Sequence, residues 1–305
     1  MSKHLTCNLP SDLVMMSYSN SDKFWSFPAS TWNAIDATGK GITIANLDTG
    51  YNPNHPLLPK PVAAKSFVPG EPDVIDYHGH GSHTAGTCCG RDRRISCATD
   101  ADLIVAKVLG RQGHGTTNGI AQGIRWAVEQ GADIINMSLG GQYDAAVEDA
   151  LIYASDRQVL CIAAAGNDFY RGIDNIGHPA SSSHTLAIGN LRQDGRINSS
   201  SSGGRELDCA CPGTDIISCS HQGSEFAKMT GASMAAPHMT AVAAIVCQMV
   251  RKRGNVWLSL NDWRRLLDDV CKDIKDRGRD PKSGRGVPMI DAIVRSIFNR
   301  EPRFM

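Results

Sequence analysis

The chain has 305 residues, of which 41% are hydrophobic and 30 are glycine, and its 31 Lys and Arg residues balance 31 Asp and Glu residues. A chain of this length buries roughly three-quarters of its unfolded surface, which is enough for one large domain without disulfide bonds. The zero net charge gives no support for a nucleic-acid partner or for binding to an anionic membrane. The composition suits a soluble α/β domain with many tight turns.

The N-terminal segment and the cysteines bear on the cellular compartment. Residues 1–20 contain no continuous apolar core of a secretory signal peptide, and no other segment approaches the length that spans a bilayer. Several of the ten cysteines fall within apparent strands or helices, which favours buried free thiols over disulfide bonds. Cys88-Cys89 and Cys209-x-Cys211 lack the spaced pairs of a zinc site, so we assign no metal to them. These features predict a cytoplasmic protein without a membrane segment.

Apolar segments alternate with helical patterns along the chain. The predicted strands, each rich in Ile, Val, Leu or Ala, are residues 41–48, 102–109, 133–139, 159–166 and 185–191. The predicted helices are residues 117–130, 144–156, 259–271 and 288–298. Such alternation predicts a mainly parallel central sheet with helices on both faces, in which ligands bind at the carboxyl ends of the strands.

The first candidate site residues follow a buried strand. Residues 42–50 (ITIANLDTG) are typical of a buried strand that ends at Asp48, and a buried carboxylate needs a partner. Residues 79–86 (GHGSHTAG) place His80 and His83 in a glycine-rich loop that opens a helix of small residues. A histidine can bind the aspartate through one ring nitrogen and take a proton from a serine through the other.

A serine between small residues completes this set. Residues 231–238 (GASMAAPH) predict a loop that passes into a helix, with Pro237 in the first helical turn, where its missing N–H has no partner to lose. Small neighbours let another backbone approach Ser233, and a helix N-terminus favours the negative charge that develops beside a nucleophile. Small residues before an apolar helix also suit simple packing, so this segment alone leaves both interpretations open.

These motifs resemble those of a known family. The order of the candidate aspartate, histidine and serine is that of subtilisin. Residues 134–141 (IINMSLGG) and 161–168 (CIAAAGND) resemble the substrate-binding and oxyanion segments of the same family. Over nearly its whole length, the chain resembles the subtilisin-like serine proteases (the subtilase family, peptidase S8), in particular their intracellular type. The resemblance implies a single-domain, three-layer α/β/α catalytic unit over residues 31–305.

The resemblance implies a role for each residue of the motifs. Asp48 would orient the imidazole, His80 would act as general base and then as general acid, and Ser233 would be the nucleophile. The Asn167 side-chain amide and the Ser233 N–H would donate to the oxyanion. In this family the catalytic histidine is the first of the H-G-x-H pair. The neighbouring histidines are expected to pack or to form local hydrogen bonds, and these are His78 and His83.

The resemblance also implies a protein or peptide substrate that binds as an extended strand between two chain segments. The residues of these two edges are Gly113, His114 and Gly115 on one side, and Ser138, Leu139 and Gly140 on the other. The side-chain pocket beside the scissile bond would share the second edge, and its remaining residues are Ala164, Ala165, Gly166 and, near the base, Gly177. Small walls predict a roomy pocket, and Asp168 and Asp174 would favour basic side chains at its rim. A cis bond is expected at His178-Pro179.

Two departures from the family pattern bear on activity and cofactors. Ala232 precedes the candidate nucleophile where the family commonly has a threonine that supports the oxyanion, so we expect activity to be retained but reduced. The family's high-affinity calcium loop would fall between residues 87 and 103, where this chain is shorter and cationic. We expect that calcium site to be absent and no cofactor to be required, while a weaker calcium site elsewhere stays open.

Residues 1–30 form a separate N-terminal extension in this interpretation. The extension is too short for the folded inhibitory prodomain of secreted relatives, and residues 5–10 (LTCNLP) could instead lie across the active site. A docked or disordered tail is the alternative. Two other functions suit the same fold, namely a catalytically idle scaffold that binds peptides or a partner protein, and a peptide ligase or macrocyclase. The sequence does not specify an oligomeric state.

Overall fold

The computed structural model describes residues 36–168, 172–254 and 257–299, so the N-terminal extension, residues 1–30, lies outside the described residues. A seven-stranded sheet forms the centre, and every neighbouring pair of its strands is parallel. The strands are β1 (Thr43–Asp48), β2 (Ala63–Ser66), β3 (Asp102–Lys107), β4 (Ile134–Met137), β5 (Leu160–Ala164), β6 (Thr185–Leu191) and β7 (Leu207–Pro212). Their order is β2-β3-β1-β4-β5-β6-β7, so the winding reverses beside β1. Parallel sheets bind ligands at such a reversal.

Helices cover both faces of the sheet. The described helices are α1 (His80–Cys89), α2 (Thr117–Glu129), α3 (Ala145–Asp156), α4 (Ala232–Arg251), α5 (Leu260–Val270) and α6 (Ile290–Asn299). On one face, Ile124 of α2 and Leu151 of α3 share a core with Leu47 of β1. On the other face, α1 and α4 pack in the larger core that contains Ile44 of β1. This arrangement confirms the predicted three-layer α/β/α fold.

Capping residues place the ends of several helices where the sequence predicts them. The Thr116 side chain accepts a hydrogen bond from the Gly119 N–H before α2, and Asp144 caps α3 in the same way. Ser259 and Asp262 form a reciprocal capping box at the start of α5. Caps of this kind satisfy N–H groups that have no partner within the helix, and their residue types can be read directly from the sequence.

The sequence analysis did not predict β2, β7 or two short antiparallel ribbons. The ribbons pair β8 (Ile216–Cys219) with β9 (Phe226–Met229) and β10 (Cys271–Lys272) with β11 (Val287–Pro288). β2 has four residues, none of them fully buried, so it lacks an apolar run. β7 carries the buried Asp208, whose carboxylate accepts hydrogen bonds from Arg264 at 3.2 Å and Arg285 at 2.8 Å. These ion pairs compensate the charge of Asp208 within a buried strand. A search for apolar runs does not find a strand that contains a charged residue.

Pro237 lies deeper in its helix than predicted. Because α4 begins at Ala232, the proline is the sixth helical residue and falls in the second turn, not the first. A proline lacks the N–H that would bond to the carbonyl four residues earlier, which here belongs to Ser233. The Ser138 hydroxyl donates to this carbonyl oxygen instead, at 2.7 Å. A side chain from the loop after β4 thus completes the first turns of α4.

Helix α4 is long and apolar enough, by length and composition, to cross a bilayer. This finding corrects the expectation that no segment approaches that length. Within the fold, 83% of its most apolar window is buried. Residues of α4 such as Met239, Val242 and Val246 belong to the larger core, so its apolar surface lies at the centre of the protein.

Candidate active site

The candidate acid and base meet where β1 ends and α1 begins. Asp48 is the last residue of β1, and His80 is the first residue of α1. The His80 Nδ1 lies 2.7 Å from Asp48 Oδ1 and 2.9 Å from Asp48 Oδ2. The buried carboxylate also accepts hydrogen bonds from the Thr49 N–H at 2.7 Å and from the Thr84 hydroxyl at 3.0 Å. These contacts direct the Nδ1–H of the imidazole at the aspartate, which leaves Nε2 as the basic atom.

Opposing effects set the pKa of His80. Burial lowers the pKa, because a charged ring is disfavoured away from water, whereas the charge and hydrogen bond of Asp48 raise it. The charge of Asp76 raises the pKa of His80 as well, and the net result lies above the ordinary value of a histidine. The His80 ring therefore accepts a proton more readily than an isolated imidazole does.

Asp76 is a second buried carboxylate beside the candidate base, and the sequence analysis missed it. It accepts hydrogen bonds from the N–H groups of His78 at 3.0 Å, Gly79 at 2.8 Å and Ser82 at 2.7 Å. It also accepts hydrogen bonds from the hydroxyls of Ser82 at 2.7 Å and Thr49 at 2.8 Å. Burial raises the pKa of Asp76, but these hydrogen bonds lower it by more, so the side chain is a carboxylate at neutral pH. An acidic residue just ahead of a helix N-terminus is the signal that could have revealed it.

Thr49 connects the two buried carboxylates. Its hydroxyl donates to Asp76 and accepts a hydrogen bond from the Gly81 N–H at 2.8 Å, while its own N–H donates to Asp48. The first turn of α1 is therefore held from two sides, and the position of the His80 ring follows from this network.

The candidate nucleophile lies in the first turn of α4 and does not bond to the imidazole. The Ser233 hydroxyl donates to the Ser138 carbonyl oxygen at 3.3 Å, and no hydrogen bond joins Ser233 to His80 within the described residues. Ser138 and His80 line the same cleft, of about 460 Å³, so the serine lies against the wall of the space that the imidazole faces. Hydrogen bonds between catalytic groups are often long without substrate and tighten when it binds.

Asn167 and Ser233 place two N–H donors at the start of α4. The Asn167 side-chain oxygen accepts a hydrogen bond from the Ala232 N–H at 2.9 Å, which leaves its NH2 group as the free end. The Ser233 backbone N–H lies in the first turn of α4 and has no acceptor among the described residues. Two donors at a helix N-terminus suit the binding of an oxyanion. Ala232 stands where the family commonly has a threonine. Because the bond to Asn167 comes from the backbone N–H of this residue, the loss of the threonine hydroxyl does not alter it.

The turn that carries Asn167 is fixed by Ser202. Gly166 adopts a φ of +109°, and a Cβ at this position would lie 2.8 Å from the Ser202 Oγ. The Ser202 N–H donates to the Gly166 carbonyl at 2.9 Å, and the Ser202 Oγ accepts a hydrogen bond from the Asp168 N–H at 3.0 Å. Only glycine can lie this close to Ser202 at this φ without strain. Because Ser202 binds both Gly166 and Asp168, the turn is fixed on both sides of Asn167.

The cleft contains both predicted substrate-binding edges. Their residues are Gly113, His114 and Gly115 on one side, and Ser138, Leu139 and Gly140 on the other. Five further residues line the cleft without having been predicted, and these are Thr49, His78, Leu109, Gln112 and Ile120. Only Thr49 belongs to one of the motifs, and the five come from four separate segments that the fold brings together.

The two histidines that flank the candidate base differ in environment. The buried His83 ring shares a hydrogen bond with the Ile216 carbonyl oxygen through Nε2, at 2.9 Å, and burial lowers its pKa to about 4. It is therefore a neutral core residue. His78, in contrast, is exposed and lines the cleft, which differs from the expectation of local packing. Only its backbone N–H is bound by Asp76, so the ring itself is left at the cleft.

Close backbone contacts build the predicted pocket walls. Ala164 and Ala165 are buried where β5 ends. Gly141 and His178 exchange two backbone hydrogen bonds, of 2.8 and 3.0 Å, which tie the second edge to the segment that contains Gly177. A Cβ on Gly177 would come within 3.2 Å of the Gly141 carbonyl oxygen. The peptide bond after His178 is cis. The backbones of these two segments therefore lie too close together for a side chain to fit between them.

The loop after α1 does not fit a calcium ion. Arg91 donates to the carbonyl oxygens of Thr99 and Ala101, and Arg94 binds the Asp92 carboxylate through Nε at 2.9 Å and Nη2 at 2.6 Å. Calcium requires six to eight oxygen ligands. Guanidinium groups already bind two carbonyl oxygens and one carboxylate of this loop, and their positive charge opposes a bound cation.

Comparison with known proteins identifies the class of this chain. The Subtilase family matches residues 39–286, a range that includes β1 to β10 and all of the candidate site. The chain therefore belongs to the subtilase family, a class of serine endopeptidases.

Curated relatives agree with this class. The chain is 36% identical over 274 residues to an intracellular serine protease of Paenibacillus polymyxa, a match that covers 86% of this chain and 82% of the relative. It is 40% identical over 223 residues to subtilisin BL of Lederbergia lenta, which covers 72% of this chain and 81% of the relative. A 40% match over 223 residues to M-protease of Shouchella clausii (strain KSM-K16) spans only 57% of that relative.

Proposed function

We propose that Asp48, His80 and Ser233 are the catalytic triad of this chain, which hydrolyses peptide bonds through an acyl-enzyme intermediate. The observation that carries the proposal is the 2.7 Å hydrogen bond between His80 Nδ1 and the buried Asp48. A carboxylate in this position orients the ring and stabilises the imidazolium that forms during the reaction. The raised pKa of His80 supports the same role.

The reaction begins when the Ser233 hydroxyl turns from the Ser138 carbonyl to His80 Nε2. The imidazole takes the hydroxyl proton as the serine oxygen attacks the substrate carbonyl carbon. The resulting oxyanion accepts hydrogen bonds from the Asn167 NH2 and the Ser233 N–H. His80 then gives its proton to the leaving amine as the C–N bond breaks, which leaves an ester on the serine. A water molecule, deprotonated by His80, attacks this ester, and the proton returns to the serine oxygen as the acid product leaves.

The substrate in this proposal is a protein or peptide that binds as an extended strand. One edge, residues 113–115, and the other, residues 138–140, line the same cleft and would pair with the substrate backbone. Backbone pairing is largely independent of side chains, so selection falls to the pocket. Its small walls, Ala164, Ala165, Gly166 and Gly177, would admit medium or large side chains.

The proposal extends to compartment and cofactor, with a cytoplasmic enzyme that requires no metal ion. None of the nine cysteines that the structure describes forms a disulfide bond, and eight of them are buried. Free thiols suit a reducing compartment, and one relative is named an intracellular serine protease. The cationic loop after α1 supports the absence of the family's high-affinity calcium site.

Labelling with a fluorophosphonate probe tests this function. We expect wild-type protein to be labelled and Ser233→Ala to remain unlabelled, because the probe reacts with an activated serine. Ser183→Ala, which changes an exposed serine before β6, is the matched control and should label like wild type. An unlabelled wild type would contradict the proposal and favour a scaffold that binds peptides without cleaving them. Mass spectrometry of the products separates hydrolysis from ligation or cyclisation.

A further inference from the structure

Three histidines and no acidic residue line the cleft within the described part of the chain. One of them is the candidate base, while the side chains of His78 and His114 have no role in the proposed reaction. We propose that these two side chains select substrates with an aspartate or glutamate on the acyl side of the scissile bond. The inference rests on the proposed function, because it concerns the peptide that the same cleft holds.

The His78 ring lies between the candidate base and the first substrate edge. Its centroid is 6.2 Å from that of His80, with the ring planes at 72°. On the other side, its Nε2 lies 3.0 Å from the point where a Cβ on Gly113 would be. Neither ring nitrogen has a hydrogen-bond partner among the described residues. A substrate residue that passes between the base and the first edge therefore meets a free imidazole.

The His114 ring offers a second donor only when it is protonated. Its Nδ1 lies 2.9 Å from the Gln112 carbonyl oxygen, to which it must donate because that oxygen is only an acceptor. In the neutral ring, Nε2 therefore carries no proton and repels a carboxylate. In the imidazolium, both nitrogens carry protons, and the exposed Nε2–H can bind a carboxylate with the added strength of a charge.

The charges around these rings compensate one another. Glu71 forms ion pairs with the buried Lys107 at 2.8 Å and with Arg111 at 3.4 Å. Arg111 also lies over the Tyr77 ring, 4.8 Å from its centroid, and the Tyr77 hydroxyl donates to Asp73 at 3.2 Å. Two acids and two bases thus balance each other, so this group adds no net charge beside the two imidazole rings.

Other titratable groups face the same region. Asp48 and Asp76 are buried next to His80 and saturated with hydrogen bonds, and the Nδ1 of His221 lies 2.6 Å from the point where a Cβ on Gly79 would be. These groups affect the cleavage of every substrate in the same way. The ratio of kcat/KM for two substrates at the same pH therefore removes the contribution of these groups.

Paired peptides test the inference directly. In one cleavable sequence, glutamate or glutamine is placed in turn at each of three positions on the acyl side, and kcat/KM is measured at low salt at pH 6 and pH 8. Glutamine keeps the shape and removes the charge. At one position we expect glutamate to be favoured about fivefold at pH 6, which corresponds to about 1 kcal/mol, the upper end for an exposed ion pair. The ratio should be smaller at pH 8, because histidine side chains in general carry less positive charge at the higher pH.

Three variants give the test its controls. His78→Asn and His114→Asn should each lower the glutamate preference at pH 6, and the double variant should abolish it. His184→Asn, which changes a histidine outside the cleft, should keep the wild-type ratio. Equal cleavage of both peptides by wild type at all positions, or an unchanged ratio in the double variant, would overturn the inference and leave the peptidase function intact. Failure to cleave any peptide, together with no fluorophosphonate labelling, would overturn the proposed function and the inference with it.

Discussion

Asp76 affects both the pKa of the candidate base and the stability of the fold around it. Its carboxylate accepts five hydrogen bonds from the segment that leads into α1 and from Thr49. Because its pKa is lower in the folded chain than in the unfolded one, the unfolded chain binds the proton more readily. Asp76 therefore stabilises the fold above its unfolded-state pKa and loses this contribution as the pH falls through its folded-state value.

The substitution Asp76→Asn keeps the size of the side chain and removes its charge. We expect the pKa of His80 to fall, because a negative charge that raises it is lost, so the acid limb of the kcat/KM profile should move to lower pH. The free energy of unfolding should drop by about 1–3 kcal/mol, since the amide nitrogen cannot accept the hydrogen bonds of the oxygen it replaces. A pH profile on one peptide and urea unfolding at pH 7 measure the two effects.

The matched control for Asp76 is Ser82→Ala. It removes one hydroxyl donor to the carboxylate and keeps the charge, so stability should decrease while the acid limb stays in place. If the acid limb of Asp76→Asn coincided with that of wild type, the electrostatic contribution to His80 would be excluded and the role of Asp76 would be structural.

Motifs located the polar residues of the site, and the fold decides how they are oriented. Asp48 and Asn167 could be predicted because each lies at or just after the end of a recognisable buried strand. The orientation of the Ser233 hydroxyl could not, since its acceptor is the carbonyl of Ser138, which lies 95 positions away in the sequence. Asp76 escaped prediction for a similar reason, because its partners include a threonine after β1.

The first turns of α4 depend on groups from two other loops. Asn167 binds the Ala232 N–H, and the Ser138 hydroxyl binds the Ser233 carbonyl that Pro237 leaves without a helical donor. The helix therefore holds the candidate nucleophile in a position that the loops after β4 and β5 determine.

A double-mutant cycle tests this dependence. Ser138→Ala should lower the free energy of unfolding by about 1–3 kcal/mol, because the Ser233 carbonyl loses its donor. Pro237→Ala supplies an N–H within the helix, so Ser138→Ala should cost less in that background, with a coupling of about 1 kcal/mol. Part of the cost should persist in both backgrounds, since the Ser138 Oγ also accepts a hydrogen bond from Asn136. Equal costs in the two backgrounds, measured by urea unfolding, would contradict this account of α4.

The predicted strands are buried along most of their length, although burial did not make β7 predictable. β1, β3, β4, β5 and β6 are rich in Ile, Val, Leu or Ala, a pattern that the sequence shows directly. β9 is accessible along its length, and β7 contains the buried Asp208, whose arginine partners come from distant segments. Such elements depend on tertiary contacts, and for that reason the sequence alone did not predict them.

The topology of the sheet explains why residues far apart in the chain converge. β1, β4 and β5 are adjacent in the sheet and run parallel, so their carboxyl ends meet at one edge. Asp48, Ser138 and Asn167 lie at or just after these ends. α4 packs across the same strands and brings Ser233 to this edge. The resemblance to subtilases predicted this convergence, which is a property of the complete fold and of no single segment.

The proposal that the high-affinity calcium site is absent leads to a prediction about the stability of the complete protein. We expect the Tm to be the same in excess EDTA and in millimolar calcium chloride, because arginines bind two carbonyl oxygens and one carboxylate of the loop after α1 and make it cationic. Arg91→Gln serves as the matched variant and should lower the Tm equally in both solutions, since it removes hydrogen bonds to the loop. A Tm that falls in EDTA and recovers with calcium would reveal a site that stabilises the fold.

A crystal structure of the protein after reaction with a fluorophosphonate tests the central claim most directly. The account predicts a covalent bond from phosphorus to the Ser233 Oγ, with one phosphonyl oxygen within hydrogen-bond distance of both the Asn167 NH2 and the Ser233 N–H. It also predicts His80 Nε2 beside the serine oxygen, with the bond to Asp48 unchanged. An adduct on another residue, or a phosphonyl oxygen directed away from both donors, would contradict it.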